Sequence, residues 1–460
     1  MKLINQNKTI VLMAIVLSIF SCQNNTKSTE NSDMALVKDA KFDLTENHLL
    51  DTIQFQTFNY FWDGAEPNSG MARERIHLDN DYSMSPENIV TTGGSGFGLM
   101  AILVGVERGW ITREQAFKRY TKVLDFLEKA DRFHGAWSHW IDGETGKMYP
   151  FGKKDNGGDL VETAFLVQGL LTVSEYFKNG SQKEQKLITK IEQLWKEVEW
   201  NWYTKEGEDV LYWHWSPEYD WDMNFPVGGY NECLIMYVLA AASPTYPISK
   251  KVYEKGWARN GDIVSKASYY NEELILDYFE HSDAPVGPLF WAHYSYLGLN
   301  PKGLSDQYAD YWKLTQNHAK IHYKYAIHNP KNYKGYGDDI WGFTSSYSIN
   351  GYAGHRPGDD LGVISPTAAL SSFPYTPKES MQMLTNLYKN HDSLIGEYGP
   401  FDAFSFEHNW YLPRYLAIDQ GPIPVMIENY RTGLFWNLFM NNKDVQNGLK
   451  KLGFTNENKN

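Results

Sequence analysis

Asp155-Asn156-Gly157-Gly158-Asp159-Leu160-Val161-Glu162-Thr163-Ala164-Phe165 opens an apolar run that continues to Tyr176, and the reading of this stretch decides the architecture. Two glycines allow a tight turn, an aspartate suited to an N-cap follows, and apolar residues then recur at three-four spacing, the pattern of a helix. The same punctuation returns along the chain. Gly93-Gly94, Gly157-Gly158, Gly228-Gly229, Gly287, Gly351 to Gly362 and Gly421 each lead into an apolar helix, at steps of about 60 to 70 residues. Such a step holds two helices with their connections, so six steps give about twelve helices. The expected fold is all-α, an (α/α)6 barrel (toroid) of inner and outer helices. The loops before the inner helices would converge over one central cavity.

The three-four spacing predicts helices over Leu49–Trp62, Gln115–Ala130, Glu162–Tyr176, Lys186–Trp200, Leu234–Ala242, Pro288–Leu299 and Met426–Met440, and alternating strand patterns are scarce. In this helical setting Gly93-Gly94-Ser95-Gly96-Phe97-Gly98 reads as a tight helix entry rather than a phosphate cradle. No His-Glu-x-x-His helix, Gly-x-Ser-x-Gly elbow, or Walker or Rossmann loop on a strand is present. Asp79-Asn80-Asp81-Tyr82-Ser83 begins like a calcium loop but lacks its central glycine and its closing glutamate.

Carboxylates gather at the glycine-rich turns. Asp159 and Glu162, three apart at a helix start, form the pattern of a capping box, and capping does not preclude catalysis. Two glycines separate Asp155 from the helix, so it can project into the cavity. Three carboxylates within eight positions repel one another unless protonated or paired, which is how a general acid acquires a raised pKa. Val227-Gly228-Gly229-Tyr230-Asn231-Glu232-Cys233-Leu234 repeats the theme with Glu232, which in a first turn also complements the helix dipole. Asp402, within Tyr398-Gly399-Pro400-Phe401-Asp402-Ala403-Phe404, is flanked by aromatic rings whose burial would perturb it. Glycoside hydrolysis needs one carboxylic acid to protonate the leaving oxygen and a second carboxylate to act as nucleophile or to activate water. The candidate catalytic residues are therefore Glu162, Glu232, Asp402, Asp159 and Asp155, with no metal and no cofactor.

Aromatic residues make up 15% of the chain, with 16 Trp. Most must serve a large core, but Trp137, Trp140, Trp213, Trp215 and Trp221 stand among Gly, Asp, Glu and His, a setting that suits partly exposed rings on which sugars stack. The loops Gly337–Phe343 and Gly351–Asp360 are dense in hydrogen-bonding and stacking groups. Candidate substrate-binding residues are Trp137, Trp140, Trp213, Tyr230, Trp341, His355, Arg356 and Tyr398.

The N-terminus carries Lys2 and an apolar run from Thr9 to Phe20, too short to span a membrane as a mature helix but suited to export, followed by Ser21-Cys22. This resembles a lipobox, with Phe20 bulkier than the usual residue there. Residues 1–22 are expected to be a lipoprotein signal with lipidation at Cys22, residues 23–40 a flexible tether, and residues 41–455 one globular catalytic domain. The expected location is that of an exported lipoprotein, periplasm-facing or at the cell surface, touching the membrane through the lipid alone. Cys233 is the only other cysteine, so neither a disulfide within the globular part nor a thiolate metal site is possible. A net charge of −13 argues against nucleic acid as a partner and leaves neutral polymers, an oligo- or polysaccharide.

Phe58-Asn59-Tyr60-Phe61-Trp62, Thr91-Thr92-Gly93-Gly94-Ser95-Gly96-Phe97-Gly98, Gly135-Ala136-Trp137-Ser138-His139-Trp140, Gly158-Asp159-Leu160-Val161-Glu162-Thr163-Ala164 and Gly421-Pro422-Ile423-Pro424-Val425-Met426-Ile427-Glu428-Asn429-Tyr430 together resemble the glycoamylase-like domain of glycoside hydrolase family 144. The resemblance covers nearly all of the globular part. It implies an (α/α)6 barrel and hydrolysis of β-1,2-glucan to sophorose-type oligosaccharides, with inversion and without a metal. It also implies that the acidic candidates are Asp155, Asp159, Glu162, Glu232 and Asp402, with Glu162 or Glu232 as acid and Asp402 or Asp155 handling the water. Two other readings fit the same sequence: a lipid-anchored glycan-binding protein of an uptake system, and an α-glucan hydrolase on the same fold.

Overall fold

A helix that is apolar on every face has no side left for water, and three segments of this chain are of that kind. The computed structural model describes residues 45–278 and 286–457; the expected signal, Cys22 and the tether lie outside them. In chain order the helices are α1 (Glu46–Trp62), α2 (Thr92–Glu107), α3 (Arg113–Leu127), α4 (Leu160–Phe177), α5 (Gln182–Lys196), α6 (Leu234–Ala242), α7 (Lys250–Val252), α8 (Tyr311–His328), α9 (Pro366–Ser371), α10 (Pro377–Asn390), α11 (Ala417–Gln420), α12 (Pro422–Arg431), α13 (Leu434–Met440) and α14 (Lys443–Leu452). In α2 every residue from Thr92 to Gly105 is buried, in α6 all are, and α4 is nearly as enclosed. By contrast α5 buries only Leu187, Ile191, Leu194 and Trp195, one stripe of an amphipathic helix.

These two classes alternate. The inner positions are α2, α4, α6, the short turns Leu289–Ala292 and Tyr294–Tyr296, α9, and α11 with α12; the outer ones are α3, α5, α7, α8, α10 and, closing the ring between α12 and α2, α1. The fold is an (α/α)6 barrel. It lies within one compact unit, Leu44–Asn460. The connections before the inner helices carry short antiparallel strand pairs, such as Gly158–Asp159 with His214–Trp215, Arg75–His77 with Arg414–Leu416, and the hairpin Ser345–Ser348 with Gly351–Gly354.

Side-chain size sets how near the inner helices approach. A Cβ at Gly96 would collide with the carbonyl of Phe165 on α4, and one at Gly169 of α4 with the carbonyl of Gly96. On the other side of α2, Gly98 and Gly105 leave room for the rings of Phe61 and Phe58 of α1. The glycine run expected as a helix entry therefore lies inside α2, where it permits contact on two faces. Three other expectations need correction. The segment expected as a helix over Pro288–Leu299 is two 3-10 turns separated at His293, because its run of aromatic rings packs into the core and tertiary contact overrides helix propensity. The α5 helix ends at Lys196 rather than Trp200, and the span Met426–Met440 breaks at Gly433, whose φ of 72° is left-handed.

The α2–α4 contact has no slack. Gly96→Val is expected to lower stability by about 1–3 kcal/mol or more, seen as a fall in the midpoint of thermal unfolding; an unchanged midpoint would show that the two helices can separate freely.

Candidate active site

All six inner-helix starts reach one cavity of about 290 Å³. Thr91 comes from the entry to α2, Glu162 and Phe165 from α4, Glu232 from the turn before α6, Phe290 and Tyr294 from the 3-10 turns, Ser345, Tyr347 and Tyr352 from the hairpin preceding α9, and Leu416 and Ile418 from the start of α11. Glu74, Arg75, His139, Trp140 and Trp213 complete the wall, with half-exposed Phe151 and exposed Met84 at the mouth. Aromatic faces and a few converging polar groups are the chemistry of a sugar-binding cleft.

At the start of α4, Asp159 is the N-cap: its Oδ1 accepts the N–H of Glu162 at 2.9 Å. The capping box is only half made. The Glu162 side chain turns away, and its Oε2 accepts the N–H of Gly93 at 2.7 Å and the hydroxyl of Thr91 at 3.3 Å. Asp159 Oδ2 accepts from Trp213 Nε1 at 3.0 Å and lies 3.1 Å from His139 Nδ1 and 3.5 Å from His214 Nε2. Asp155 Oδ2 lies 3.1 Å from His214 Nε2. Two aspartates and two histidines thus form one ion-pair cluster at the start of α4, with His139 also lining the cavity. Burial disfavours the imidazolium of His139, but the charge of Glu162 and the hydrogen bond and charge of Asp159 raise it to about 10. His214 likewise overcomes burial, through its hydrogen bonds to Asp155 and Asp159, and is raised to about 9. Asp159 is held below the usual carboxylate range, its burial outweighed by hydrogen bonds from both histidines.

The two cavity glutamates differ in their surroundings. Burial raises Glu162 to about 7 and the charge of Asp159 adds to it, while His139, 3.9 Å away, and the Gly93 N–H favour its ionised form. Burial pushes Glu232 up to about 7, and the charges of Glu162 and Asp159 add to it. Among the described residues, its carboxyl meets no donor except its own backbone N–H. The turn that presents it is fixed. Gly229 has φ 79° and lies against the carbonyl of Tyr278, and Asn231 Oδ1 accepts the N–H of Cys233 at 2.9 Å.

The other candidates need correction. Asp155 does not project into the cavity but faces His214, because the glycines after it carry the chain into a strand pair with Trp215. Asp402 is 1% exposed and lies behind the wall, where the N–H of Tyr347 donates to its Oδ2 at 2.8 Å. Of the expected sugar contacts, Trp140 and Trp213 line the cavity. Trp137 and Trp341 are wholly buried, with indole N–H groups on the carbonyls of Leu127 and Glu379. Tyr230 packs in the core against Trp291 and His318, and Tyr398 against Tyr60 and Tyr415. His355 is buried under its loop and Arg356 pairs with Asp359 at 3.1 Å, so neither reaches the cavity. The Asp79 and Asp81 carboxylates grip Arg414 at 2.8 and 2.7 Å.

Sequence reasoning missed Glu74, Arg75, His139, His214, Tyr294, Tyr347 and Asp419. The histidines sit inside the Trp-rich segments it singled out, and Asp419 is the acid at the sixth glycine turn. Glu74 and Arg75, which contact each other, come from a three-residue strand and its flank, too short for a periodic signal. His139, Asp155 and Asp159 bring one donor atom each within 4.8 Å of the others. A metal would have to share Asp159 Oδ2 with the indole N–H and two imidazoles that already point at it, so the donor set fits protons better than a cation.

The glycoamylase family model matches residues 224–443. An endo-β-1,2-glucanase from Chitinophaga pinensis, solved with sophorotriose and glucose, is 59% identical with a TM-score of 0.88, covering 90% of this chain and 99% of that one. An exo-β-1,2-glucooligosaccharide sophorohydrolase (non-reducing end) from Parabacteroides distasonis is 46% identical over 92% of this chain, which spans 60% of that relative's length. An endo-β-1,2-glucanase from Talaromyces funiculosus shares the fold at 11% identity, with a TM-score of 0.60 over 88% of this chain and 90% of that one.

A raised histidine pKa contributes stability that is present below the unfolded value and lost as pH rises through the folded one. The stability that the cluster contributes should therefore decline as pH rises above the ordinary histidine range and be lost by about 9 to 10. Imidazole NMR titration of the wild type should find both histidines in that range, and Asp159→Asn should lower both; ordinary histidine values in the wild type would dissolve the ion-pair reading.

Proposed function

This chain belongs to glycoside hydrolase family 144, the glycoamylase-like β-1,2-glucanases, and on that premise we propose that it hydrolyses β-1,2-linked glucan to sophorose-type oligosaccharides. The observation that carries the reading is the unlike setting of two glutamates in one aromatic-walled cavity. Glu162 and Glu232 repel each other, so one ionises first. Glu162 has the Gly93 N–H, the Thr91 hydroxyl and the His139 imidazolium to receive its charge. Glu232 has none of these, so of the two it is the better placed to keep its proton. Both carboxyls are raised to about 7, and it is this difference in donors that assigns acid and base.

Glu232 is then the general acid. It gives its proton to the glycosidic oxygen as the C1–O bond breaks. Water attacks C1 from the opposite face of the ring, and its proton passes to Glu162. Trp140, Trp213 and Phe151 supply faces on which glucose units stack, and Arg75, whose Nη1 is buried without a partner, supplies donors to hydroxyl groups. Asp155, Asp159, His139 and His214 hold the start of α4 and set the charge beside Glu162.

Glu232→Gln and Glu162→Gln should each lower the rate on β-1,2-glucan by roughly 10²-fold or more with little change in melting. New reducing ends from β-1,2-glucan but not from starch are expected of the wild type. Binding without cleavage in folded protein, or glucose from starch alone, would overturn the reading in favour of a glycan-binding protein or an α-glucan hydrolase respectively.

The location is also proposed: an exported lipoprotein, periplasm-facing or at the cell surface, joined to the membrane by a lipid on Cys22. Its support is the apolar run ending in Ser21-Cys22 and the polar stretch after it. Metabolic labelling with a fatty acid should mark the full chain and not Cys22→Ala; equal labelling of the two would remove the anchor.

A further inference from the structure

Asp402 and Asp419 are 1% and 4% exposed, and their carboxyls hydrogen-bond to each other. Asp402 Oδ1 and Asp419 Oδ2 meet no donor among the described residues. A hydrogen bond between two carboxyls requires a proton, since ionised carboxylates only accept. The surroundings supply no cation in its place. Arg75 contacts Glu74, and Arg414 is committed to Asp79 and Asp81. The groups that do face the pair are the N–H of Tyr347, the hydroxyls of Tyr294 and Tyr352, and the charge of Glu74, which disfavours ionisation of both. Two like charges in such a place do not ionise together.

We propose that Asp419 is a positioning residue that shares one proton with Asp402 behind the cavity wall, and that this pair fixes Tyr294 and the Tyr347 strand against the bound sugar. Each aspartate serves a different part of the wall. Asp419 bonds to Tyr294, which rises from the 3-10 turns, and Asp402 receives the backbone of Tyr347, whose hydroxyl lies 2.7 Å from His77 Nε2. Both tyrosines line the cavity, so the proton joins α11, the 401–404 segment and two walls of the site. The sharing of the proton rests on the burial, the contact and the unpartnered oxygens of the two carboxyls; the effect on turnover rests on the proposed hydrolysis.

Burial, and for Asp419 also the charge of Asp402, raises both carboxyls above their ordinary values. A carboxyl raised in the folded state gives stability that is present below the unfolded value and lost as pH rises through the folded one. For Asp402 that folded value is about 7. Asp419→Asn keeps the size and offers Asp402 an amide donor, so the pair no longer needs its proton. Potentiometric titration of native protein near pH 6 should find roughly one proton fewer on Asp419→Asn than on the wild type, and the fall in melting temperature with rising pH should flatten. The contributions of Glu162 and Glu232 cancel in that difference. Asp402→Asn should give the same proton count and slope, which keeps the test open if one variant fails to fold. On β-1,2-glucan, Asp419→Ala should lower kcat/KM by roughly tenfold or more, and Asn by less. Equal proton counts and equal slopes in the wild type and both Asn variants would overturn the proposal even if hydrolysis stands. Inactivity of the wild type on β-1,2-glucan would overturn the proposed function and leave the proton measurement to decide the pair.

Discussion

Everything at the centre of this molecule depends on the hydrogen bond from the Gly93 N–H to Glu162 Oε2. It joins the starts of α2 and α4, the two inner helices that touch most closely. At a helix start the backbone N–H groups have no partner within the helix. A buried glutamate that supplies the acceptor satisfies one of them and is itself held in a single position. The room for it comes from glycine: a Cβ at Gly93 would strike the Glu162 carboxyl, just as one at Gly96 would strike Phe165. The glycine run therefore sets helix spacing and carboxylate position together, and a change in one would move the other.

The legible part of the fold was its periodicity. Segments with apolar residues on all faces, as in α4 and α6, lie inside; segments with one stripe, as in α5, lie outside. Where tertiary packing overrides local preference, the pattern misleads. The aromatic run Phe290–Tyr296 has helical spacing but turns too tightly for an α-helix. Trp137 and Trp341 have the polar neighbours of exposed rings but are wholly enclosed, because their neighbours in space are not their neighbours in sequence. Trp140 stands three residues from Trp137, in a strand paired with Thr91 and Tyr149, and that pairing brings it to the cavity.

The carboxylates were legible because glycine turns and helix starts mark them, but their partners were not. His139 and His214 are far apart in sequence and meet only through the pairing of Asp159 with His214 and the hydrogen bond of His139 to Asp159. Without them, Asp155, Asp159 and Glu162 read as three mutually repelling acids. With them, Asp155 and Asp159 are neutralised by two imidazolium groups, and Glu162 is left as the carboxylate whose charge state can change. The capping box was therefore a correct reading of Asp159 and an incorrect one of the Glu162 side chain.

Charge balance over the whole site leads one step further. Among the described residues, seven carboxyl groups lie in or behind the wall of this cavity: Glu74, Asp155, Asp159, Glu162, Glu232, Asp402 and Asp419. Arg75 answers Glu74, and the two histidines answer the cluster at α4. Glu162 shares the His139 imidazolium with Asp159, while Glu232 and the Asp402–Asp419 pair face no cation, and ionising all of them in a space walled by aromatic rings would be prohibitive. The site must therefore hold protons at neutral pH. In the proposed mechanism one sits on Glu232, beside the cavity and free of other donors, where a leaving oxygen can take it. In the proposed pairing another lies between two aspartates behind the wall, where it holds the wall in place. On these two proposals a single physical requirement, the neutralisation of buried carboxyls, accounts both for a proton that is spent in each turnover and for one that is retained.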